Sequence, residues 1–120
     1  MQIREYQPND SEAVKSIWQK AFACSPWYEN LSHEEMAKRW QACCSKPGFE
    51  CLVMEHDERV VGFISWDTPT LEDLAKERGP VLASFAAKSE LNIVWLEVIC
   101  ADPDCQRQGI ARKLREQVIY

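Results

Sequence analysis

The chain has 120 residues, with 14 Lys and Arg against 19 Asp and Glu, for a formal net charge of −5. At 46% hydrophobic and 28% charged it has the make-up of one globular domain over residues 1–120, able to close a core without disulfides or metal. The acidity argues against a nucleic-acid binder, and no apolar run approaches the ~18 residues of a membrane span.

Met1-Gln2-Ile3-Arg4-Glu5 lacks the apolar segment of a signal peptide, so a cytoplasmic protein is expected. Six cysteines form no CxxC pair, and the two histidines, His33 and His56, are not spaced as zinc ligands. The thiols therefore read as reduced and mostly packed as small hydrophobes, and no metal site is expected. No nucleophile elbow or Walker loop is present.

In chain order, residues 3–6 predict a strand. Pro8-Asn9-Asp10 opens a helix, with Asn9 as cap and Glu12 as its capping-box partner. Val14, Ile17, Trp18, Ala21 and Phe22 give that helix one apolar face. Ser32 and Glu35 cap a second helix lined by Met36, Trp40, Cys43 and Cys44, and Lys46-Pro47-Gly48 stops it. Residues 49–55 and 60–66 predict a hairpin turning at 56–59. Thr70 with Asp73 caps a short third helix that Gly79-Pro80 breaks, and 81–88 is ambiguous. Residues 92–101 form the strongest strand, apolar on both faces with Glu97 as its one charge. A last helix over 107–119 has Ile110, Ala111, Leu114 and Val118 as its core stripe. The order β-α-α-β-β-α-β-α is an α/β layer architecture.

Charge is uneven along this order. Arg107, Arg112, Lys113 and Arg115 face only Glu116 in the last fifteen residues of an otherwise acidic chain. A solvated helix face explains that alone; a small anionic ligand is the sharper reading. The sharper reading rests on Gln106-Arg107-Gln108-Gly109-Ile110-Ala111, placed after the strong strand and at a helix start. First-turn amides have no partner within the helix and carry its positive dipole end, which suits a phosphate or diphosphate. Gly109 lets the ligand approach the backbone, Ala111 lets the helix pack closely, and Arg107, Arg112, Lys113 and Arg115 can meet further phosphate charge.

This segment, behind Leu96-Glu97-Val98-Ile99-Cys100-Ala101-Asp102-Pro103, resembles the acetyl-CoA-binding motif of the GNAT N-acetyltransferase superfamily. The hairpin with Arg59-Val60-Val61-Gly62-Phe63-Ile64 and the two helices after an N-terminal strand are similar to that family as well. The resemblance implies a mixed, mostly antiparallel sheet flanked by helices. It implies acetyl-CoA as cosubstrate, with its diphosphate on the amides of residues 107–112. The pantetheine arm would run beside Ile99, Cys100 and Ala101 as an added pseudo-strand. A primary amine, from a small molecule or a peptide, would attack the thioester. Glu97 is the candidate base, since a carboxylate on a mostly buried strand has a raised pKa; a structural ion pair or an acceptor-orienting role are the alternatives.

Trp27 and Tyr28, between the first two helices, and Trp66, at the end of the third strand, are candidate acceptor-site residues, with core or lid packing as the plain reading. Cys100 and Cys105 read as packing, because no activating His or Lys is adjacent. The family continues beyond the last helix with a fifth strand, parallel to the fourth, and a helix carrying a tyrosine that protonates the thiolate. The resemblance thus implies a C-terminally truncated member, and no residue takes the tyrosine's role. Without a fifth strand the fourth has an open edge, so a homodimer through that edge is expected. A non-catalytic remnant that binds CoA, or serves as a dimeric interaction module, is the competing function.

Overall fold

A computed structural model of the chain describes residues 1–24, 27–68, 70, 72, 75–76, 95–105 and 108–117. The elements are β1 (Gln2–Glu5), α1 (Ser11–Ala23), α2 (His33–Cys44), β2 (Glu50–His56), β3 (Arg59–Asp67), β4 (Trp95–Ala101) and α3 (Ile110–Glu116). The strands form one sheet in the order β1-β2-β3-β4, every pair antiparallel. The ambiguous stretch 81–88 and most of the expected third helix lie outside the described residues.

Alternation along the strands splits the core in two. Cys51 and Val53 of β2, Phe63 of β3, and Val98 and Cys100 of β4 face α1 and α2, where Val14, Ile17, Trp18, Met36 and Trp40 meet them. Trp18, Trp40 and Phe63 pack ring against ring, with centroids 5.7–6.4 Å apart. Met54, Ile64 and Ile99 face the opposite way, onto Ile110 and Leu114 of α3. The periodicity of the helices and strands fixed both layers.

The hairpin turns in two residues, and both Asp57 (φ 51°) and Glu58 (φ 61°) are left-handed. That combination matches the twist of the flanking strands. α2 starts as expected: the amide of Glu35 donates to Ser32 Oγ at 3.1 Å. α1 does not. Its cap position is Asp10, one residue later than expected, behind a 3-10 turn over Pro8–Asp10. The Asp10 carboxylate is buried and takes both Arg4 Nη1 (2.8 Å) and Nη2 (2.9 Å), together with the Gln7 amide (2.8 Å). A nearby guanidinium satisfies more of a buried carboxylate than a helix amide can, so the pair fixes the turn from β1 into α1.

Ala111, expected in the core stripe, is exposed; α3 reaches the sheet closely because of Gly62 in β3 instead. A Cβ at Gly62 would stand 2.5 Å from Ile110 Cγ2 and 3.1 Å from the Cys100 carbonyl oxygen.

Two outcomes follow. Gly62→Ala should lose about 1–3 kcal/mol of stability in urea unfolding, as overpacked cores do, and Ile110→Ala in the same chain should cost less than the two changes summed. The Arg4 pairing holds the Asp10 carboxyl below its usual range. A depressed folded pKa contributes stability that is present above the unfolded value and lost as pH falls through the folded one. Asp10→Asn should therefore cost about 2 kcal/mol at neutral pH, and its urea midpoint should fall less steeply than that of the parent chain as pH drops below ~4.

Candidate functional site

β4 ends in a tightly held corner. The Asp102 amide donates to the Val61 carbonyl at 2.8 Å, tying the strand's end to β3. Asp102 is buried; its Oδ1 accepts from the Asp104 amide (3.0 Å) and its carbonyl from the Cys105 amide (2.8 Å). This closes a one-turn 3-10 helix over Pro103–Cys105 and buries Cys105 under Arg59, whose Nη2 lies 3.6 Å from Sγ. The role of Asp102 escaped the sequence reading, although Asp-Pro-Asp is a turn signature of the side-chain-to-backbone kind.

Beyond the corner Gln108 is exposed, and Gly109 caps α3 in the left-handed region at φ 69°. Its carbonyl accepts the Lys113 amide at 2.9 Å. The amides of Gly109, Ile110, Ala111 and Arg112 have no backbone acceptor among the described residues, as the first helical turn dictates. An added Cβ at Gly109 would meet no heavy atom within 4 Å, so the turn opens onto free space. Ile110 and Leu114 are buried and anchor the helix, while Ala111 and Arg112 are exposed. Arg112 makes a loose i,i+4 contact with Glu116 at 3.7 Å and is free to turn to an anion. Gln106 and Arg107 lie outside the described residues.

The strand itself carries an irregularity. Ser65 pairs with Val98, whereas Trp66 pairs with Leu96, so residue 97 is the extra residue of a bulge. The Glu97 backbone is thereby singled out; its carboxylate is not among the described atoms. Ile99 and Ala101 face the α3 side and Cys100 the α1/α2 side. Burial pushes the Cys100 thiol up to about 12, so it packs and offers a ligand only its backbone. Among the described residues no strand pairs with the edge of β4 that faces away from β3.

The aromatic candidates are not brought together. Trp27 stacks on Phe22 (5.2 Å, 11°), which packs against the α1/α2 core. Tyr28 is exposed at φ 46°. Trp66 lies on the opposite face, beside the α3 core.

The family model "Acetyltransferase (GNAT) family" matches residues 12–120. The chain belongs to the GNAT acetyltransferase family. Solved GNAT-like structures superpose on it: a possible acetyltransferase from Clostridium difficile 630 (TM-score 0.69, 16% identity, 98% of this chain and 67% of that one). A GNAT acetyltransferase from Brucella melitensis, crystallised with acetyl-CoA, gives a TM-score of 0.65 at 22% identity, over 98% of this chain and 64% of that one. A ribosomal-protein-alanine N-acetyltransferase from the same organism gives 0.64 at 24% identity, over 99% and 65%. No curated protein matches the chain. This GNAT chain thus spans about two thirds of the length of these structures.

Because space at Gly109 is open, Gly109→Ala should cost only the backbone strain of a left-handed alanine, about 1 kcal/mol in urea unfolding, and no packing energy.

Proposed function

We propose that this GNAT chain transfers an acetyl group from acetyl-CoA to a primary amine. The observation that carries the reading is the turn at Gly109, where an added Cβ meets no heavy atom within 4 Å and the amides of Gly109 to Arg112 have no backbone acceptor among the described residues. A diphosphate fits such a cradle, and a Cβ would intrude on it. Bound acetyl-CoA supplies the reactive thioester.

The residues divide the work as follows. The amides of Gly109 to Arg112 hold the diphosphate, with Gln106, Arg107 and Gln108 leading into the turn. Arg112 adds a mobile positive charge. The backbone of Ile99, Cys100 and Ala101 orients the pantetheine arm along the open edge of β4. Glu97, singled out by the bulge, takes the proton that the acceptor ammonium must lose before its nitrogen attacks. The acceptor is a small-molecule amine or a peptide; Trp27 and Trp66 lie on opposite faces of the sheet, so they do not border it together. The described cysteines are all free, in keeping with a reducing, cytoplasmic setting. Among the described residues no helix is long and apolar enough to cross a membrane.

One observation favours a second reading. The outer edge of β4 has no partner strand among the described residues, and an unpaired apolar edge pairs readily with another chain. On this reading the chain is a non-catalytic CoA-binding remnant, or a homodimeric interaction module joined through that edge.

Calorimetry with acetyl-CoA separates these. The transferase reading expects saturable binding, competed by CoA, weakened by rising salt, and weakened at least tenfold by Gly109→Val. It further expects thiol release with one or more members of an amine panel, lost in Glu97→Gln. Absence of binding overturns it; binding without thiol release across the panel, in a chain with twice the monomer mass, supports the dimeric remnant.

A further inference from the structure

We infer that Arg59 is a further cofactor-binding residue, one that takes the 3′-phosphate of CoA; the inference rests on the acetyl-CoA reading of the Gly109 turn. Arg59 opens β3, and its side chain leaves the hairpin toward the end of β4. Its Nη2 lies 3.6 Å from Sγ of Cys105, in the one-turn 3-10 helix that follows that strand. Cys105 is buried and packs in one cluster with Val61 and with Ile110, the residue after Gly109. Further along β3, an added Cβ at Gly62 would stand 2.5 Å from Ile110 Cγ2. The chain between Cys105 and Gly109 reaches at most ~14 Å. The start of β3, the corner after β4 and the start of α3 are thus gathered at one end of the sheet, on its α3 side.

The guanidinium at this end is held but not neutralised. Three other described arginines each face a carboxylate: Arg4 meets Asp10 and Glu55, Arg39 meets Glu29, and Arg112 lies 3.7 Å from Glu116. Arg59 is exposed, and its guanidinium has only the Cys105 thiol, a weak acceptor, among the described residues. Asp104 in the same corner is turned to Lys20, at 3.8 Å. A guanidinium offers five donors in a planar fork that matches a phosphate. Contact with one thiol fixes the head and leaves most of those donors for another group. CoA carries a diphosphate and, apart from it, a phosphate monoester on the 3′-oxygen of its ribose. The amides of Gly109 to Arg112 suit the diphosphate. A monoester carries about −1.5 to −2 charge at pH 7 and is the stronger partner for a cation. Arg59, set back from the turn behind Cys105, is placed for the group that the amides leave over. On a chain of net charge −5, an unpaired cation there offsets general repulsion of so anionic a ligand.

Calorimetry tests the assignment by comparing CoA with 3′-dephospho-CoA, which keeps the diphosphate and the pantetheine arm. The parent chain should bind CoA about five-fold more tightly. Arg59→Gln should weaken CoA by about five-fold and leave 3′-dephospho-CoA within about two-fold, so that the preference disappears. Arg59→Lys keeps the charge without the fork and should restore part of the preference. Lys38→Gln removes an exposed positive charge from α2 and should leave it unchanged. Arg59 is exposed, and thermal unfolding checks that the variants keep their fold. Equal loss for both nucleotides in Arg59→Gln would put Arg59 on the diphosphate or make it a general attraction, and no loss for either would leave it with Cys105 alone. Both results overturn the inference, as does a parent chain that binds the two nucleotides alike. Those outcomes leave acetyl-CoA binding intact, whereas a parent chain that binds neither nucleotide ends the acetyl-CoA reading and this inference together.

Discussion

The close approach of α3 to the sheet is the constraint on which the candidate site depends. Gly62 lets Ile110 and Leu114 settle between β3 and β4, and a side chain there would lift the helix away. Helix position determines where the amides after Gly109 point relative to the edge of β4. A diphosphate and an extended arm can be held by one ligand only if those two features keep a fixed spacing. The glycine in the strand and the glycine at the helix cap thus act together. One sets the distance between layers and the other leaves the entrance clear.

Two buried carboxylates complete the frame. Asp102 folds back on the Asp104 amide at the end of β4, and Asp10 takes Arg4 and the Gln7 amide at the end of β1. Each closes a chain reversal at which backbone groups would otherwise be left unsatisfied. The corner at Asp102 closes the one-turn 3-10 helix over Pro103–Cys105 that follows β4.

Much of this was legible in the residues. Apolar spacing in α1 and α2 and alternation in β2 and β3 placed both core layers, and Gly109 after an apolar strand marked the start of α3. Other features are set by contacts between distant residues, which no local pattern encodes. Asn9 and Glu12 have the letters of a capping box, but Arg4 draws Asp10 into a bidentate pair and the helix starts one residue later. Ala111 has the right size for close packing, yet the helix phase turns it to solvent and the close contact falls on Gly62. The bulge at residue 97 arises from the pairing of β3 with β4 and has no signature within β4 alone. Trp27 and Trp66 both look like pocket aromatics, but strand parity sends Trp66 to the face that Trp27 does not share.

The seven residues of α3 are seated by their buried side chains and left open by their exposed ones. Ile110 and Leu114, one turn apart, are buried against the sheet, while Ala111, Arg112, Lys113 and Arg115 are exposed. Lys113 and Arg115 stand in the last turn, where positive charge complements the carbonyl end of the helix. Arg112, near the start, gains nothing from the helix dipole there, and its contact with Glu116 spans 3.7 Å. The basic residues that stand out in an acidic chain thus divide into two that the helix itself accounts for and one that it does not.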